Sequence, residues 1–107
     1  MSDTKAANMF AALGHPSRVS ILRLLVKAGD EGLSVSEMRE HLNMPATTFG
    51  HHLKAMADAG IVAQDRRGRS LISRADYSVL QGLMNFLMED CCRGVLSSPS
   101  TLELETP

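Results

Sequence analysis

No apolar run in this sequence is long enough to cross a membrane. The longest, from Val79 to Met88, is broken by Gln81, Gly82 and Asn85 and falls short of the ~20 residues a spanning helix needs. The opening MSDTKAANMF lacks the charged start and continuous apolar stretch of a secretion signal, so a cytoplasmic protein is expected. Cysteine is confined to one adjacent pair, Cys91 and Cys92. That pair is no disulfide framework, and in a reducing compartment both are expected to be free thiols. A Gly-rich phosphate loop is absent, as is any recognisable Ser/His/Asp triad order, which leaves an enzyme little to stand on. Internal repeats are absent too. What remains is 107 residues, 44% of them hydrophobic, which make one domain with a modest core. The Ser/Pro/Thr-rich end from Ser97 to Pro107 cannot bury a core and is expected to be a disordered tail behind a domain of residues 1–96.

Net charge is only −1, which on its face argues against a nucleic-acid partner. The distribution reverses that argument. Between Pro45 and Arg74, Lys54, Arg66, Arg67, Arg69 and Arg74 stand against Asp58 and Asp65, a local net charge of +3, while the remainder carries −4. A basic patch beside two histidines on an acidic body suits contact with phosphates.

The periodicity predicts a mainly α, α+β winged-helix chain of five helices and a two-stranded β-hairpin. Ala6, Met9, Phe10 and Leu13 have helical spacing up to Gly14. Pro16 opens a second helix that stops at Gly29-Asp30-Gly32. After a β-prone Leu33-Ser34-Val35, Ser36 is expected to cap a helix through Met38 and Leu42. A tight Asn43-Met44 connection leads to Pro45, which opens a helix with Phe49, Leu53 and Met56 on one face, ending at Gly60. Two short helices so joined are a helix-turn-helix candidate. From Ile61 the period changes to that of a hairpin with Arg67-Gly68-Arg69 at its tip. The last helix, from about Asp76 to Arg93, is apolar on more than one face and needs a second surface to pack on, most simply a partner subunit.

This order, with FAALGHPSRVSILRLL, TTFGHHLKAMADAGIV and the RRGR hairpin tip, resembles the ArsR/SmtB family of dimeric winged-helix repressors over roughly residues 6 to 93. The GHPSR segment, the H-H-L at His51 to Leu53 and the A-G-I-V exit at Ala59 to Val62 are individually weak and jointly specific. The resemblance implies a homodimer, built through its first and last helices, that sits on double-stranded operator DNA and releases it when an inducer binds.

In that setting Thr47, Thr48 and His51, with Ala46 and Gly50, occupy the outward N-terminal half of the recognition helix, where short side chains reach base edges. Lys54, one turn on, suits phosphate. Arg66, Arg67 and Arg69 at the hairpin tip are expected to reach along or into an adjacent minor groove. The bland alternatives are solvated helix positions and a charged turn that prevents edge pairing. His52, with Met56 as its i+4 partner, is read as a packed structural histidine, His15 as a cap or packing residue at the start of the second helix, and His41 as a surface residue.

For the inducer, the resemblance supplies sites to compare. Metal-sensing members typically place a Cys-x-Cys pair at the start of the first helix of the helix-turn-helix; here those positions are Ser34 and Ser36, poor ligands for soft ions. A second family site uses Asp and His on the last helix to hold zinc. This chain has Asp76, with Glu89 and Asp90 far along and no histidine after His52, which does not make a tetrahedral site. Cys91 and Cys92 remain. Arsenite-sensing members typically offer three cysteines, and this chain offers two. The third ligand is then a hydroxide, a small thiol or a cysteine of the partner subunit, or else the inducer is an organic arsenical such as methylarsenite with one valence already blocked. Trivalent antimony is the expected mimic, and no permanent cofactor is expected. Three alternatives stay open: cysteines buried as small apolar residues, a redox or sulfur-species switch, and a non-DNA dimeric interaction module. Adjacent Cα atoms ~3.8 Å apart lie below the ~4.4 to 6.8 Å usual for a disulfide, so a switch would favour a bond between subunits.

Overall fold

The structure, a computed structural model, describes residues 1–95, and the expected tail from Ser97 to Pro107 lies outside them. Five helices and a small sheet follow in the order α1 (Asp3–Leu13), α2 (Pro16–Ala28), β1 (Leu33–Ser34), α3 (Val35–His41), α4 (Ala46–Asp58), β2 (Val62–Arg67), β3 (Ser70–Ala75) and α5 (Tyr77–Met88), with a 3₁₀ turn at Gly29–Glu31 after α2. This is the winged-helix architecture expected from the sequence.

Local chemistry sets most boundaries. Ser2 accepts the Lys5 N–H at 3.1 Å and caps α1. Ahead of α2, Pro16 supplies a preset φ and His15 Nδ1 accepts the Ser17 N–H at 3.1 Å, so His15 is a cap as expected. The cap of α3 is Ser34, not Ser36. Ser34 Oγ accepts the Glu37 N–H at 3.1 Å while the Glu37 carboxylate accepts the Ser34 N–H at 2.8 Å. This reciprocal box needs an acid or amide three residues on, and Ser36 would have found Arg39 there.

The sheet holds three antiparallel strands in the order β1-β3-β2, one more than the hairpin predicted. Leu33 pairs with Ser73 and Ser34 with Ile72, so the sequence just before α3 is stitched to the wing. Gly32 permits this approach. Its φ is +69°, and a Cβ there would lie 2.4 Å from the Ser73 carbonyl oxygen.

The core gathers Ile21, Leu25, Met38, Phe49, Met56, Ile61 and Leu83, all but fully buried. From α4 the inward residues are Phe49, His52, Leu53 and Met56, the face expected. Phe10, grouped by its spacing with Ala6 and Met9, lies instead on the surface, and Val26 of α2 is exposed too. Helix α5 buries Leu83 and packs Val79, Leu80 and Phe86 against the core, and Tyr77 donates its hydroxyl to the Val26 carbonyl at the end of α2 at 3.3 Å. Its opposite side exposes Met84, Leu87 and Met88, the last at 62%. The helix also stops short of the expected Arg93. Asp90 and Cys92 take left-handed φ values of +59° and +68°, and the chain turns through Cys91 N–H to Met88 O and Arg93 N–H to Asp90 O.

Candidate nucleic-acid interface

The outward N-terminal half of α4 presents Ala46, Thr47, Thr48, Gly50 and His51, all exposed. No Cβ at Gly50 would touch another atom within 4 Å, so this part of the helix is open to a close-fitting surface. The inward face holds it in place. His52 is 8% exposed; its Nδ1 accepts the Arg18 Nε–H at 2.9 Å, and its ring lies against His15 with centroids 4.5 Å apart. Burial holds the His52 imidazole below its ordinary pKa, and the charges of His15, Arg18 and His51 add to the effect. A neutral His52 is the form that accepts the Arg18 proton donor. Arg18 also reaches the Ala12 carbonyl at 3.4 Å, so one guanidinium joins α1, α2 and the recognition-helix candidate. In the sequence Arg18 is visible only as the end of the GHPSR segment; nothing in the one-dimensional pattern pairs residues 34 positions apart.

The structure also says which basic residues carry the local positive charge. Lys54 Nζ pairs with Asp58 at 2.8 Å on the exposed side of α4, and Arg74 pairs across the hairpin with Asp65. Surface pairs of this kind contribute little to stability, but they cancel charge. Among the described residues Arg66, Arg67 and Arg69 have no acidic partner, so the excess of three positive charges sits on the wing. The three are not equivalent. Pairing places Arg66 opposite Leu71 and Gln64 opposite Ser73. Ser73 is fully buried and accepts from Gln64 Nε2 at 3.1 Å, so by strand alternation Arg66 leaves the inner face of the hairpin. Arg67 leaves the outer face. Arg69 follows Gly68, whose φ of +61° makes the turn.

Cys91 and Cys92 are both exposed in the single chain, outside its core. Their sulfurs are 2.8 Å apart. The hydrogen bond with Cys92, then desolvation, pushes the Cys91 thiol above its ordinary value. Arg93 is paired with Asp90 at 3.0 Å. Asp76 is used as the cap of α5, accepting the Val79 N–H at 3.2 Å. Within one chain and among the described residues, no three His, Cys, Asp or Glu side chains converge on a metal-sized position, and no helix is long and apolar enough to cross a membrane.

A family described as a helix-turn-helix domain matches residues 13–65. The chain is 30% identical to the transcriptional repressor SdpR of Bacillus subtilis over 81% of its own length and 93% of that protein. Its fold is similar to that of an ArsR-like transcriptional regulator from Rhodococcus sp. RHA1, with a TM-score of 0.70, 28% identity and coverage of 78% of this chain and 76% of the other. It is also similar to the transcriptional repressor BigR from Xylella fastidiosa, with a TM-score of 0.62, 27% identity and coverage of 83% and 88%.

Proposed function

The chain belongs to the ArsR/SmtB family of winged helix-turn-helix transcriptional repressors, a DNA-binding regulator and not an enzyme, and from that premise we propose a homodimeric, thiol-gated repressor induced by a trivalent arsenical. Thr47, Thr48 and His51, with Ala46 and Gly50 allowing close approach, read base edges in the major groove, and Arg67 and Arg69 hold flanking phosphates. Lys54 turns from Asp58 to phosphate when DNA arrives, since an exposed pair costs little to open. The exposed Met84, Leu87 and Met88 of α5, with Phe10 of α1, pack on a second copy. Two-fold symmetry then sets the recognition helices one helical turn of DNA apart, so the operator is a pseudo-palindrome.

The observation that carries the inducer is the exposed pair of sulfurs 2.8 Å apart, set just past the apolar stripe of α5. Two soft donors on one side of a turn suit a soft trivalent ion. Two protein thiols leave one bond of arsenic(III) for a methyl group, a hydroxide, a small thiol or the partner subunit. Binding there shifts the packing of α5 and with it the spacing of the recognition helices. By linkage, an inducer that weakens DNA binding also binds the DNA-bound dimer less tightly.

The test is fluorescence anisotropy of the operator complex under titration with arsenite, methylarsenite, trivalent antimony, zinc and a sulfur oxidant, repeated with Cys91→Ser and Cys92→Ser. Release by the arsenicals, lost in both variants, supports the proposal, and methylarsenite outranking arsenite identifies a two-thiol site. Release by the oxidant alone makes the pair a redox or sulfur-species sensor. Release by nothing places the inducer site elsewhere.

A further inference from the structure

A cavity of 370 Å³ lies between the start of α3 and the inner face of the wing, and its polar walls are Ser34, Ser36, Ser70, Arg66 and Arg69. Val35 and Leu71 complete its lining. Three properties make it a place for an oxyanion. The two guanidinium groups have no carboxylate partner among the described residues, although each carries a planar fork of donors matched to two oxygens of one anion. The three hydroxyls add donors of the right reach. The nearest acid on α3, Glu37, is turned back to accept the Ser34 N–H at 2.8 Å, so its charge is engaged with the backbone.

The β1–β3 pairing builds this arrangement, because Ser34 opposite Ile72 fixes the start of α3 beside the strand that leads away from Ser70. Arg66 joins it because strand alternation sends that side chain inward, while Arg67 points the other way. The cavity thus collects only part of the RRGR tip. It lies at Ser34 and Ser36, on a different part of the molecule from Cys91 and Cys92.

We propose that Arg66, Arg69, Ser36 and Ser70 form a binding site for a tetrahedral phosphate-type oxyanion at the junction of wing and α3. Its source is either a free phosphate-bearing small molecule or one backbone phosphate of bound DNA, and only the second source rests on the operator-binding reading. In both cases the anion clamps the wing to the first helix of the helix-turn-helix. Ser36→Asp puts a carboxylate in the cavity without touching the Ser34–Glu37 box, and an acid in the first helical turn favours the fold. Arg66→Gln removes one fork. Arg39→Gln makes the same change in net charge on α3 outside the cavity.

The experiment has two arms on the full-length protein. In the first, inorganic phosphate is titrated into the DNA-free protein at matched ionic strength, and the Arg66 and Arg69 Nε–H signals are followed by NMR. Saturable shifts that Ser36→Asp and Arg66→Gln weaken by roughly tenfold or more, and Arg39→Gln leaves intact, establish the site for a free anion. In the second, the salt dependence of operator affinity is measured. No saturable shift in the first arm, with the salt slope lowered by about 1 per subunit in Ser36→Asp and Arg66→Gln but not in Arg39→Gln, assigns the site to a backbone phosphate. Absence of both effects overturns the proposal. Failure of the wild-type protein to bind any operator fragment would instead count against the DNA reading, and the first arm would still decide the site.

Discussion

Replacing Arg18 by Met tests the link between the fold and the recognition helix. Arg18 donates to His52 Nδ1 at 2.9 Å and to the Ala12 carbonyl at 3.4 Å. A hydrogen bond with a charged partner contributes about 1.5–3 kcal/mol, and the longer contact to Ala12 adds little. Methionine keeps most of the apolar stem, so lost packing is a small part of the change. The expected cost at pH 7.5 is therefore about 2 kcal/mol. The sign of its pH dependence follows from His52, whose pKa is lowered in the fold by burial first and by His15, Arg18 and His51 after it. As pH falls below the ordinary value of 6.5, the unfolded chain takes up the proton before the folded one does. Stability then falls by at most about 1.4 kcal/mol per pH unit, until the folded value is reached. Removing Arg18 takes away one cause of the depression, raises the folded value and shortens that window. The variant should thus be nearer to wild type at pH 5.5 than at pH 7.5. Urea unfolding at both pH values, at one fixed protein concentration because the protein is proposed to dimerise, reads the difference. A deficit that is the same at both pH values, or larger in acid, would refute the role given to the Arg18–His52 pair.

Further substitutions address the wing, the sheet and the dimer. Arg67→Ala with Arg69→Ala should weaken DNA binding to all sequences alike and flatten its salt dependence; unchanged affinity in a gel-shift series at several salt concentrations would remove the wing from the interface. Gly32→Ala should cost upwards of about 3 kcal/mol, since left-handed strain is joined by overlap with the Ser73 carbonyl. Gly29→Ala, with φ +80° and nothing within 4 Å of the added Cβ, bears the strain alone, so equal melting losses for the two would discount the β1–β3 contact. Leu87→Glu should weaken self-association about 100-fold or more by placing a charge in the α1–α5 interface while leaving the far-ultraviolet circular dichroism unchanged, and sedimentation that still reports a full dimer would move the interface elsewhere.

Much of this architecture could be read from the chain because its signals are local. Pro16 behind His15, the Phe49/Leu53/Met56 face and the turn at Gly68 each act within a few residues, which is the range over which periodicity and capping are visible. The misses share a different cause. Strand β1 exists because Leu33 finds Ser73 forty residues later, and two residues of β-prone sequence carry no sign of that partner. Arg18 reads as a charged helix residue until α4 is packed against it. The split of the RRGR tip into an inward Arg66 and an outward Arg67 depends on register, since a shift by one residue exchanges the two faces. The misplaced α3 cap is the exception, because Glu37 three residues after Ser34 was present in the sequence as a capping-box signature.

The cysteine pair shows what such a local departure can do. On a continuous helix to Arg93, neighbouring side chains would point ~100° apart, and two sulfurs could share one ion only by fraying. The chain instead leaves the helix at Met88 and takes a left-handed turn at Asp90 and again at Cys92, which brings both thiols to one side at 2.8 Å. Left-handed non-glycine residues cost of order 1–3 kcal/mol each, so this turn is the part of α5's end most easily rearranged. A ligand that bridges both sulfurs fixes that turn, whereas oxidation to a bond between subunits must pull it open, because each sulfur then faces a different partner. The proposed arsenical induction and its redox alternative would therefore act on the end of α5 in opposite directions. Protection of the Asp90–Arg93 amides from hydrogen exchange should rise with a bridging arsenical and fall with an intersubunit disulfide, which separates them without reference to DNA.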